Sequence, residues 1–186
     1  MRIRSTGITE TAQVKPATLA VRGLVAAVIL LTLAGCSVSR VAPDDTIYRD
    51  LTSGKSELDR SAAQDMVNAY RQMHHVQPVK LEERLTDLAQ QRANALATSI
   101  IDGESPPREE ELRNALRAAG YHAGEVGEIT GLGYPTIADA FTAWRHSPRD
   151  NDIMLMASVR EMGVAAVHVP GSANEVYWVM LLARPI

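Results

Sequence analysis

The chain has 186 residues, 46% hydrophobic and 22% charged, with 19 basic against 22 acidic residues and a formal net charge of −3. With no basic cluster, that balance argues against nucleic acid as a partner, because such binding rests on phosphate neutralisation by lysine and arginine. One cysteine leaves no intramolecular disulfide, so an ordinary hydrophobic core has to hold the fold.

Arg2, Arg4, Lys15 and Arg22 precede an apolar run over residues 24–33, which ends in Leu33-Ala34-Gly35-Cys36. A positive start, a short apolar stretch and small residues before a cut site describe a secretory signal, too short to span a bilayer. The Leu-Ala-Gly-Cys ending resembles the bacterial lipobox, which implies lipidation of Cys36 and a membrane held through it. Cleavage there would leave 15 basic and 21 acidic residues, a net charge of −6. Ser37 follows where aspartate would imply retention at the inner membrane, so the expected location is the outer membrane, facing the periplasm. Residues 1–35 are thus a lipoprotein signal peptide, 36–57 a polar tether and 58–186 one folded domain, and a mature chain of about 150 residues buries about 70% of its unfolded surface.

The Ser61 and Gln64 spacing predicts a capping box that opens a first helix, with Met66, Tyr70 and Met73 on one face. Leu81, Leu85, Leu88, Ala89, Ala93 and Leu96 form the apolar stripe of a second helix over residues 81–99. Pro106 and Pro107 suit the start of a third and Gly120 its C-terminal cap, while Thr136 and Asp139 offer a cap for a fourth through Phe141 and Trp144. Valine-rich runs at 159–169 and 175–183, joined by Pro170-Gly171-Ser172, predict a β-hairpin whose second strand is apolar on both alternations and therefore covered on both faces. Helices first and strands last give an α+β fold, a three-layer α-β-α sandwich with an antiparallel sheet flanked by helices.

The run Met66-Val67-Asn68-Ala69-Tyr70-Arg71, then Pro78-Val79-Lys80 and residues 85–93, resembles the opening of the CAP superfamily, which includes cysteine-rich secretory, antigen 5 and pathogenesis-related proteins. Gly127-Glu128-Ile129, Trp144-Arg145-His146-Ser147-Pro148, Met162-Gly163-Val164 and Tyr177-Trp178-Val179 follow in the order and spacing of that family. The resemblance covers roughly residues 61–185 and implies the same α-β-α sandwich.

It also implies a cleft. Many CAP proteins hold two histidines and two acids there, a set suited to a divalent cation. Matched position by position, one acid is Glu128, the residue three after Trp144 is Ser147, and a histidine position is taken by Asp150. The other histidine belongs to a loop over residues 100–107, which has none. No metal and no cofactor are therefore expected. An oxygen-only alternative would draw on Asp102, Glu104, Glu128 and Asp150. Glu128 is expected to survive for structure, accepting backbone N–H bonds in a loop over residues 127–133.

Glu128 and His146 are the weak candidates for a catalytic acid or base, and Ser147 and Asp150 complete the candidate cleft. His74 and His75 point to different helical faces, and His122 and His168 have no partner at ligand spacing. Ser105, Ser147 and Ser158 lack a nucleophile-elbow setting, and Gly131-Leu132-Gly133 reads as a turning loop. Trp144, Trp178, Met154 and Met156 read as packing residues. The expected function is a lipid-anchored, non-catalytic binding module of the bacterial cell envelope for an envelope protein, a glycan or a small apolar lipid-like ligand. The alternative is a peptidase- or nuclease-like hydrolase using the cleft around Glu128.

Overall fold

The valine-rich runs pair as a hairpin, one further strand joins it at each edge, and helices pack on the two faces of the sheet. A computed structural model describes residues 45–101 and 109–186. After two short 3-10 turns at Asp45–Tyr48 and Leu51–Ser53, the elements are α1 (Arg60–Met73), β1 (Lys80–Leu81), α2 (Glu83–Ile101), α3 (Glu109–Ala118), β2 (Ala123–Leu132), α4 (Ile137–His146), α5 (Pro148–Met154), β3 (Glu161–His168) and β4 (Val176–Pro185). The signal peptide, Cys36, Asp102, Glu104, Ser105, Pro106 and Pro107 lie outside the described residues.

The sheet order is β1-β3-β4-β2, which places β4 inside, as its doubly apolar pattern requires. Its alternation divides the core. Val176, Trp178, Met180 and Leu182 pack in one cluster with Val67, Phe141, Trp144 and Met154, and Tyr177, Val179, Leu181 and Ala183 pack in another with Leu85, Ala89, Leu96 and Leu112. These are the two interfaces of the three-layer sandwich, with α1, α4 and α5 on one face and α2 and α3 on the other.

Several local readings are corrected. Helix α1 is capped by Asp59, whose Oδ1 accepts from the Ala62 N–H at 3.0 Å, instead of by a Ser61 box. Gln64 is used elsewhere: its amide and that of Asn68 both donate to the Val79 carbonyl at 2.9 Å, pinning the segment before β1. Met73 is 77% exposed, because the buried face of α1 runs through Ala63, Val67 and Arg71. Leu81 belongs to β1, which pairs in parallel with β3, so the sheet is antiparallel except at that short edge. Part of the expected tether is docked: Leu51 is buried and its N–H donates to the Pro135 carbonyl at 2.9 Å. Contacts divide the chain between residues 42 and 43, and all described residues belong to the second unit.

Strand β2 replaces the expected loop over residues 127–133. Three glycines disguise it, since glycine is depleted in strands. Two of them mark close approach of layers: a Cβ at Gly127 would press into Ile153, and one at Gly131 would meet Trp144 and Tyr134 at 3.2 Å. Two of the expected caps do form. Thr136 Oγ1 accepts from the Asp139 N–H at 3.1 Å, and Gly120, at φ +69°, ends α3 with Tyr121 N–H bonded back to the Leu116 carbonyl at 2.9 Å.

Candidate functional site

Glu128 lies on β2 opposite Leu181 and so faces the layer built by α2 and α3. There it meets Arg92, which stands on α2 four residues after Leu88 and four before Leu96, in the buried stripe. Arg92 Nε lies 2.5 Å from Glu128 Oε1 and Nη2 lies 2.6 Å from Oε2. The side chains are 8% and 16% exposed. A two-pronged pair of this kind holds the carboxylate in one orientation. The expectation that Glu128 accepts backbone N–H bonds is therefore corrected: its partner is a guanidinium.

The other cleft candidates are directed elsewhere. His146 Nδ1 lies 2.7 Å from the Thr142 carbonyl of its own helix, and the residue is exposed. Ser147 caps α5, its Oγ accepting from the Asp150 N–H at 3.5 Å. Asp150 Oδ1 pairs with Arg149 Nη1 at 3.0 Å. A groove of about 320 Å3 beside Glu128 is lined by Leu112, Val126, Gly127, Arg149, Ile153 and Met156, and it does not include His146, Ser147 or Asp150.

Both tryptophans pack at the core and make one bond each. Trp144 Nε1 donates to the Thr130 carbonyl at 2.9 Å and Trp178 Nε1 to the Tyr134 carbonyl at 2.8 Å, with the rings edge to face at 6.4 Å. Ser158 donates to Glu125 and has no histidine among its hydrogen-bond partners. Among the described residues no group of three histidines, cysteines or acids converges, and no helix is long and apolar enough to cross a membrane.

Over residues 64–182 the sequence matches the cysteine-rich secretory protein family, CAP. The chain belongs to the CAP family. Solved structures with the same CAP fold include a cysteine-rich secretory protein from Staphylococcus aureus, at 17% identity and a TM-score of 0.52, over 67% of this chain and 37% of that one. An extracellular protein containing an SCP domain from Bacillus anthracis matches at 14% identity and a TM-score of 0.55, over 67% and 39% of the two chains. The chain thus spans about two fifths of either protein. An outer surface protein from Borrelia burgdorferi matches at 12% identity and a TM-score of 0.57, over 69% and 93%. No curated protein matches the chain.

Among the described residues, the donor set does not suit the cation that many CAP proteins are able to hold. Glu128 gives both oxygens to Arg92, Asp150 faces Arg149, and imidazole is missing from the matched position. Arg92 is the residue that sequence reasoning missed. An arginine inside an apolar helical stripe calls for a buried partner, and that was the available signal.

Losing one member of such a pair strands the other charge. Glu128→Leu is expected to cost about 3 kcal/mol or more, and Glu128→Gln roughly 1.5–3 kcal/mol because one acceptor remains. The double variant Arg92→Met with Glu128→Leu should recover most of the loss, since a well-packed apolar pair replaces a buried ionic one at little cost. Urea denaturation of the parent, Arg92→Met, Glu128→Leu and the double variant in a double-mutant cycle reads the coupling, and additive losses would refute it.

Proposed function

We propose that this chain is a lipid-anchored protein of the bacterial cell envelope whose CAP domain is a non-catalytic binding module. The candidate partners are an envelope protein, a glycan or a small apolar lipid-like ligand, and the acidic net charge disfavours nucleic acid. The arrangement that carries the reading is the Arg92–Glu128 pair. A carboxylate committed at both oxygens to a guanidinium is a poor general base, and His146, bonded to its own helix, offers no substitute. The Leu33-Ala34-Gly35-Cys36 ending supports the anchor, as does the extracellular or outer-surface setting stated for the similar proteins from Bacillus anthracis and Borrelia burgdorferi.

Mass spectrometry of the purified membrane form tests the anchor: the expected N-terminus is a lipidated Cys36, and Cys36→Ser should abolish it. An unmodified Met1 N-terminus would sink the lipoprotein assignment. Peptide, nucleic-acid and ester substrates should be left intact by the parent protein. Turnover that disappears in Glu128→Gln at a temperature where that variant stays folded would establish the hydrolase instead.

A further inference from the structure

Among the described residues, the outer edge of β2 is left open at Val126 and Glu128. In an antiparallel ladder the backbone groups of successive residues point alternately toward and away from the neighbouring strand. Gly133 N–H donates to the Val176 carbonyl at 2.9 Å, so the odd-numbered residues of this run face β4. The even-numbered ones face outward, as the Thr130 carbonyl shows by accepting from Trp144 at 2.9 Å. Val126 and Glu128 therefore direct an N–H and a carbonyl each away from the sheet, and among the described residues nothing bonds to those four groups.

The 320 Å3 groove lies along this stretch. Leu112 of α3 walls it from one layer of the sandwich and Ile153 of α5 with Met156 from the other, while Glu128 and Arg149 add charged groups to the lining. Unpaired backbone groups with an apolar residue on either side match an extended polypeptide, which presents backbone donors and acceptors along its edge and side chains alternately to both faces. From this we infer that the edge at Val126 and Glu128 accepts a short extended segment of a partner polypeptide, with apolar side chains reaching both walls. The inference rests on the binding-module reading and narrows its partner to a protein segment. A lipid chain or an apolar small molecule fills the walls but leaves the four backbone groups unpaired. A second copy of β2 is disfavoured because that strand is itself walled by helices, and the Trp144 indole ends the usable edge at Thr130.

The test uses the full chain in detergent with fluorescein-labelled Thr-Val-Val-Val-Val-Thr, which presents valines to both faces, and a matched depsipeptide carrying ester oxygens in place of the amide N–H groups. Polarisation should report saturable binding of the peptide and affinity at least about tenfold lower for the depsipeptide. Bound peptide should slow hydrogen exchange at the Val126 and Glu128 amides at least about tenfold while leaving Ile129 unchanged. Equal affinity for the two probes, absence of binding, or protection elsewhere would overturn the inference. Mass spectrometry of the recovered probe separates the two readings: cleavage would refute the non-catalytic function without touching the pairing geometry.

Discussion

Replacing Arg71 by methionine should cost the fold roughly 3–5 kcal/mol, because each buried carbonyl left without a donor costs about 1–3 kcal/mol and the change strands three. The side chain is fully buried, and its three nitrogens bond three carbonyls: Nε to Gln77 at 2.8 Å, Nη1 to Met154 at 2.5 Å and Nη2 to Met156 at 3.1 Å. Burial, and secondarily the charge of Arg160, lowers the guanidinium pKa, yet an arginine this side of strong alkali stays charged. The carbonyls it serves lie in the turn after α1 and at the end of α5, so one residue ties together segments that share no ladder. Methionine fills most of the volume and leaves all three acceptors unpaired. In a domain of this size the melting temperature should fall by on the order of 10 °C. Arg71→Lys should lose nearly as much, because a single ammonium lacks the fork that reaches three acceptors. A lysine variant that melts like the parent would show that charge alone suffices.

Gly163→Ala should be comparably severe, at about 3 kcal/mol. A Cβ at this position of β3 overlaps the backbone of Leu85 and Thr86 in the first turn of α2. That turn has little freedom to retreat: Glu82 N–H is bonded to the Met162 carbonyl at 2.9 Å and Thr86 N–H to the Glu82 carbonyl at 2.9 Å. Overpacking against flexible side chains typically costs 1–3 kcal/mol, and backbone on the opposing side removes the usual relief. Gly120→Ala is the control. It places a Cβ in open space and suffers only from its left-handed backbone, so roughly 1–2 kcal/mol is expected. Thermal melts of the two variants side by side measure the difference, and equal losses would refute the close-approach account.

The Met162-Gly163-Val164 run was one of the segments that carried the family resemblance, and the contact of Gly163 with α2 is the physical reason such a glycine is needed. The same holds for the strand containing Gly127, Glu128 and Gly131. Gly127 and Glu128 stand out by their order along the chain and Gly131 as part of a turning loop, and glycine normally weakens a strand. Tertiary packing overrode that preference, since Ile153 and Trp144 come too near β2 for any side chain at Gly127 and Gly131 to fit without displacement.

Periodicity and local capping chemistry were enough to locate four helices, the terminal hairpin and the covered central strand. They specify which residues turn inward, and a layered α+β fold follows. They do not specify what an inward polar residue meets, because partners such as Arg92 and Glu128 stand 36 positions apart. Only the stacking of α2 on the sheet brought those two together, which changed Glu128 from a candidate base into half of a buried pair. The same stacking left β2 at an edge, so the outward backbone groups of Val126 and Glu128 are a property of strand order, which no local pattern encodes.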